Sequence, residues 1–129
     1  DRLRHVKLAL RKFHTDDGER RVVADAEGQS AHTIFTLVGH HGDFSLLEAE
    51  LKTGRTHQIR VHLASLKHAI AGDDKYGDFE LNRALKKQGL KRMFLHAARL
   101  ELCHPLTGKR LEFAAPLPDD LRAFLDGLT

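Results

Sequence analysis

The stretch TGRTHQIRVH, residues 53–62, divides the chain into two kinds of pattern. Ahead of it, apolar residues tend to alternate with polar ones. From it onward they follow a helical period. After Thr56, the residues Ile59, Leu63 and Leu66 fall on one helical face at about 100° per residue. Arg60 lies at the edge of that face and Val61 around its side, so the helix is predicted to be buried and Arg60 semi-buried. A guanidinium withdrawn from water requires a partner, a carboxylate by preference. Capping by Thr56, or by Thr53 if the helix starts early, accounts for the threonines. It does not account for two arginines and a glutamine beside them. Helix fronts hold anions well, so Arg55, His57 and Arg60 are candidate contacts for phosphate.

The rest of the chain reads as short elements. HVKLALRKF (5–13) is predicted as a strand, TDDGERR as a turn centred on Gly18, and SAHTIFTLV (30–38) as a β-branched strand. HHGD (40–43) turns the chain, and FSLLEAEL (44–51) returns antiparallel. GDDKYGD (72–78) is a loop. ELNRALKKQ (80–88) is a helix with Leu81, Ala84 and Leu85 inward and Gly89 as its stop. FLHAARLEL (94–102) and RLEFAA (110–115) form a hairpin across HPLTGK, and a last helix starts near Pro118 or Asp119. The fold class expected is α+β: a mixed, mostly antiparallel sheet with three short helices.

A length of 129 residues fits one domain, and 41% hydrophobic residues can build its core. A charged fraction of 30% and a mean hydropathy of −0.40 suit a soluble protein. No apolar run approaches the roughly 20 residues of a membrane span. The start, DRLRHVKLAL, lacks the layout of a signal peptide. A single cysteine, Cys103, excludes an internal disulfide and suits a reducing compartment, so a cytoplasmic location is expected. Residues 52–92 hold ten basic and four acidic side chains, whereas the remainder holds eleven and fourteen. Such asymmetry is the footprint of a surface that meets nucleic acid, although charge alone fits a merely soluble basic face as well.

Three other chemistries find little support in the residue spacing. The ten histidines lack metal-ligand spacing: His57 and His62 are five apart, and no HExxH or CxxC occurs, so no metal site is expected. Cys103 has no activating base suggested by spacing, because His104 beside it on a strand faces the other way. Asp73 and Asp74 could act as a carboxylate pair or hold Mg²⁺, but flanking glycines and Lys75 favour a turn with solvated charges.

LLEAELKTGRTHQIRVHLASLKHAIAGDDKYGD, residues 46–78, resembles the signature stretch of the RluA/RluC-type ribosomal RNA pseudouridine synthases. The family pattern reads L-x-T-G-R-T-H-Q-I-R-V-H-L, then G-H-P-I-x-G-D-x-x-Y-G. KRMFLHAARLELCHPLTGKRLEFAAPLPDDL (91–121) is similar to a later family segment, L-L-H-A … H-P-x-T-G … A-P-x-P. GDDKYGD followed by a basic helix points to the C-type branch, whose members are similar to enzymes of large-subunit ribosomal RNA. The resemblance covers about the last two-thirds of the chain. Two departures stand out. G-H-P is K-H-A here, with Lys67 and Ala69, which should loosen the turn after the helix. The family's catalytic aspartate motif, H-R-L-D-x-x-T-S-G, and its Y-x-A-x-V tyrosine segment do not occur in these 129 residues.

The resemblance implies that an aspartate attacks the target uridine, the N1–C1′ bond breaks, and the base is rejoined through C5. It implies no cofactor and no metal. The arginine aligned with Arg60 pairs with that aspartate, here expected on a part of the protein outside this chain, and the residue aligned with Leu95 packs on the uracil ring. Arg55, His57 and Gln58 are expected to structure the adjacent loop or touch RNA. The helix from 80 to 92, with Arg83, Lys86, Lys87, Lys91 and Arg92, is expected to meet RNA phosphates. Residues 1–129 then correspond to the C-terminal half of a catalytic domain. The nucleophile-bearing half, and an N-terminal S4-type domain, are expected to precede them. The chain alone is expected to be inactive, and the full-length protein a monomer. The alternative is a non-catalytic RNA-binding module that uses the basic 52–92 segment.

Overall fold

The computed structural model describes residues 2–128. Strand β1 (Leu3–Val6), β4 (Thr33–His41) and β5 (Phe44–Leu51) form an antiparallel sheet in the order β1-β4-β5. Strands β2 (Leu10–His14) and β3 (Arg20–Ala24) form a separate hairpin, as do β6 (Arg99–Cys103) and β7 (Arg110–Ala114). Helices α1 (Gln58–Ser65), α2 (Phe79–Lys87) and α3 (Asp119–Asp126) complete the α+β architecture. Every strand pairing among the described residues is antiparallel and lies in one of three small sheets, where the sequence suggested a single, partly mixed one.

The predicted strand 5–13 is two strands in two sheets. Val6 pairs with Thr33 and packs with Phe35, Leu63 and Ile70, whereas Leu10 pairs with Ala24 and packs with Val22, Ala31 and Val61. The alternation survives across the break. Residues 7–9 carry the chain between sheets, and the Leu8 carbonyl accepts from the His62 ring instead of joining a ladder. The turn at Gly18 holds, but β3 directly after it was not foreseen.

The β4–β5 hairpin closes on Gly42-Asp43, with His41 opposite Phe44 and Gly42 at φ +61°. Glycine first in a two-residue loop supplies the turn that matches strand twist. Residues 94–98 are irregular, so β6 begins at Arg99. Helix α2 ends at Lys87, which leaves Lys91 and Arg92 beyond it. Of its three expected core positions only Leu85 is buried, joining Leu90, Leu121 and Phe124, while Leu81 and Ala84 are exposed. The final helix begins where expected, with Pro118 as N-cap.

The departure at Lys67 does not loosen the turn. Lys67 takes a left-handed φ of +65°, its N–H reaches the Ala64 carbonyl (3.0 Å), and the His68 N–H reaches the Leu63 carbonyl (2.9 Å). These two bonds close a Schellman motif in which a lysine occupies the position that suits glycine.

Candidate active site

Gln58 is the first residue of α1 and only 2% exposed. Its amide donates to the His32 carbonyl (3.0 Å) and Thr33 Oγ1 (2.9 Å). Its Oε1 accepts from Thr53 Oγ1 (2.7 Å) and the Arg55 N–H (3.0 Å). All four of its hydrogen-bonding positions are used within the fold. Of the two roles expected for Gln58, the geometry supplies the structuring of the loop, not a surface that touches RNA. Neither threonine caps the helix. The N-cap is His57, with a left-handed φ of +54° and no side-chain cap.

The buried polar chain continues through His62, which is fully buried. The Leu8 carbonyl can only accept, so His62 Nε2 donates to it (2.9 Å). Nδ1 is hydrogen-bonded to Thr33 Oγ1 (2.9 Å). Gln58, Thr33 and His62 thereby lock α1 to the sheet.

Arg60 already has a carboxylate partner within the chain, one that the sequence reading did not assign to it. Its Nε donates to Asp73 Oδ2 (2.9 Å) and its Nη2 to Asp73 Oδ1 (2.8 Å), a bidentate pair. Asp73 is 0% exposed, where a solvated turn charge was expected; Asp74 does fit that description, at 98% exposed. Asp73 Oδ1 also accepts the N–H groups of Lys75 (2.9 Å) and Tyr76 (3.0 Å). Burial by itself pushes the Asp73 carboxyl up, but Arg60 and those two amides outweigh it and hold the group below its ordinary value. The Asp73 hydrogen bonds raise the Arg60 guanidinium further, so both partners stay charged.

Tyr76 joins this pair to the β2–β3 hairpin. Its ring lies 5.1 Å from the Arg60 guanidinium carbon and 5.2 Å from that of Arg21. Its Oη accepts the Val22 N–H (2.9 Å), and its O–H is free to donate to His57 Nδ1 (2.8 Å). Burial, then Arg60 and Lys75, pushes the His57 ring below its usual value and keeps it neutral. On the far side, Asn82 of α2 holds both ends of the Asp73 turn: it accepts the Gly72 N–H (2.9 Å) and donates to the Asp73 carbonyl (2.8 Å). Gly72, at φ +83°, lets residues 92–93 pass close by, since a Cβ there would stand 2.5 Å from the Arg92 carbonyl oxygen.

The other candidate residues divide by exposure. Leu95 is half-buried against the Val6–Phe35–Leu63–Ile70 cluster, on which Ile59 of α1 also packs. Arg55 is exposed and donates from Nε to the Ser30 carbonyl (2.9 Å), next to a concavity lined by Lys12, Gln29, Gly54 and Thr56. Arg83, Lys86, Lys87, Lys91 and Arg92 are all exposed, with Arg92 bonded to the Leu95 carbonyl (3.1 Å). Sequence reasoning missed Asp73 and Tyr76 as partners of Arg60, and Asn82 as the clamp on the Asp73 turn. The signal for Asp73 was its place two and three residues ahead of the amides it accepts, an Asx-turn spacing. Among the described residues no group of three or more His, Cys, Asp or Glu is placed to hold a metal, and no helix is long and apolar enough to cross a membrane.

Arg60, Asp73 and Tyr76 thus form one braced, charge-paired cluster at the base of α1. Comparisons with known proteins give it a family. Residues 3–65 match the RNA pseudouridylate synthase family model. The chain is 48% identical over 105 residues to an uncharacterized RNA pseudouridine synthase of Chloroflexus aurantiacus, covering 81% of this chain and 32% of that protein. It is 40% identical over 128 residues to ribosomal large subunit pseudouridine synthase C of Escherichia coli K12, covering 98% of this chain and 40% of that protein. The human RNA pseudouridylate synthase domain containing 1 superposes with a TM-score of 0.68 at 23% identity, over 90% of this chain and 49% of that one, and so shares the fold. The chain belongs to the RluA/RluC-type pseudouridine synthases. The similarity runs from the first strands onward, further than the motifs alone suggested, and the chain spans 32% to 40% of the length of these two curated relatives.

Proposed function

We propose that this chain is the C-terminal half of the catalytic domain of an enzyme that isomerises uridine to pseudouridine in large-subunit ribosomal RNA. The observation that carries the reading is the 40% identity to a large-subunit synthase over 98% of the chain. A second observation supports the half-domain reading. Leu100 pairs with Phe113 and Leu102 with Leu111, so one face of the β6–β7 hairpin is wholly apolar. Leu100 and Phe113 are 58% and 54% exposed on it. An uncovered apolar face of this kind suits burial against further protein.

In this reading the nucleophilic aspartate lies on a segment outside these residues. It attacks the uridine, the N1–C1′ bond breaks, the base is rejoined through C5, and C5 gives up its hydrogen to solvent. No metal or cofactor takes part. Arg60 presents its guanidinium to the aspartate, and Leu95 packs on the uracil of a nucleotide drawn out of the stack. Arg55 and the basic residues of 83–92 steer and hold the RNA backbone, while His57, neutral and bonded to Tyr76, shapes the loop beside them. The complete protein works as a cytoplasmic monomer.

The test is tritium release from RNA labelled at uridine C5. The full-length protein is expected to release tritium and the 129-residue chain alone to release none. Turnover by the chain alone contradicts the half-domain reading, and no turnover by the full-length protein contradicts the activity itself.

A further inference from the structure

The Arg60 guanidinium is held on one edge and one face, and left open at one end. Its Nε/Nη2 edge is taken by Asp73, and its carbon lies 5.1 Å from the Tyr76 ring. Nη1 has no hydrogen-bond partner among the described residues. No unpartnered side-chain nitrogen is sealed from solvent there, so Nη1 reaches the surface, consistent with a side chain 16% exposed. Asp73 is itself immobilised by two backbone amides on Oδ1 and by Asn82 on its own carbonyl. We infer that Asp73 is the positioning residue of Arg60: it fixes the guanidinium edge-on and so aims Nη1 at the anionic group of the reacting centre. This rests on the synthase reading above, and on Arg60 facing the nucleophilic carboxylate within it.

The chemistry predicts which substitution isolates this function. Asp73→Asn keeps Oδ1 for the Lys75 and Tyr76 amides, so the turn persists. It replaces Oδ2 with an amide nitrogen that cannot accept the Arg60 Nε–H, and it removes the charge. Arg60 is then anchored only through Nη2 and can swing about that contact. A displacement of about 1 Å at a reacting centre costs on the order of 100-fold in rate.

The experiment is a double-mutant cycle on kcat in the full-length protein, read by tritium release. Asp73→Asn is expected to lower kcat by roughly 100-fold with KM for RNA little changed. The pair Asp73→Asn with Arg60→Lys is expected to fall no further than Arg60→Lys alone, within about twofold, because both changes abolish one arrangement. Asp73→Glu, which keeps the charge and both acceptors, is expected to retain more activity than Asp73→Asn. If Asp73→Asn does not fold, Asp73→Glu takes its place in the cycle with the same expectation of non-additivity. Losses that multiply, or an Asp73→Asn enzyme with normal kcat, overturn the positioning role while leaving the synthase reading intact. A wild-type protein that releases no tritium overturns the synthase reading, and the inference with it.

Discussion

The hydroxyl of Tyr76 lies 2.8 Å from Nδ1 of His57, and the same oxygen accepts the Val22 amide at 2.9 Å. One atom thus ties the loop after α1, the left-handed N-cap of α1 and the β2–β3 hairpin together. Tyr76→Phe keeps the ring over Arg60 and Arg21 but strands the Val22 N–H. The expected cost is about 1–3 kcal/mol of stability, the penalty for an unsatisfied buried donor. Urea denaturation of the variant against wild type measures it.

The Gln58 side chain makes four hydrogen bonds inside the fold, and the Arg55 side chain makes one from the surface. The two residues therefore separate stability from binding. Gln58→Ala is expected to lower stability by several kcal/mol, because the truncation leaves more than one buried partner unpaired at about 1–3 kcal/mol each. Arg55→Ala is expected to stay within about 0.5 kcal/mol of wild type. Its effect is expected in RNA affinity and in a shallower dependence of affinity on salt. Denaturation midpoints and RNA titrations at two salt concentrations distinguish the two.

Lys67 sits at φ +65° in a Schellman turn. An L-residue with a Cβ is disfavoured there by about 1–2 kcal/mol, partly offset by the freedom glycine loses on folding. Lys67→Gly is expected to raise stability by about 0.5–1 kcal/mol without altering activity. A lower melting temperature in the glycine variant contradicts this reading of the turn.

Acid should weaken the fold in two steps. His57 is held below its ordinary 6.5, first by burial and then by Arg60 and Lys75, so the folded state binds fewer protons than the unfolded one. Its contribution is present above about pH 6.5 and lost as pH falls through the lower, folded value. Asp73 is held below its ordinary 3.8, so its contribution is complete above that pH and lost as pH falls further. Urea denaturation of wild type from pH 7 to 3 is expected to show both declines, and Asp73→Asn to show a smaller lower one, since Asp17, Asp25 and Glu50 are also held below their ordinary values. An unchanged lower step in that variant assigns it to other carboxylates.

Much of the fold was legible because its hairpins announce themselves. Residues 33–51 carry a β-branched run, a Gly-Asp corner and a second alternating run, and β4–β5 formed there, with one shift of register between Leu37 and Gly39. The break between β1 and β2 was not legible, since Val6 and Leu10 keep one alternation while joining different sheets. β3 was hidden by its arginines: only Val22 of RRVVA is buried, so its apolar signal is a single residue. At the site, the helix and a semi-buried Arg60 followed from periodicity, whereas its partner did not. A carboxylate between glycines reads as solvated until the chain is folded. Only then do the Asn82 clamp and the packing of residues 92–93 on Gly72 enclose Asp73.

The most direct test of the account is a single substitution, Arg60→Lys, in the full-length protein. A lysine keeps the positive charge but cannot hold Asp73 through two nitrogens and present a third to another anion. Tritium release from C5-labelled uridine RNA is expected to fall by about 100-fold or more, with the protein folded and still binding RNA. Turnover near that of wild type would contradict the claim that this guanidinium serves the reacting centre.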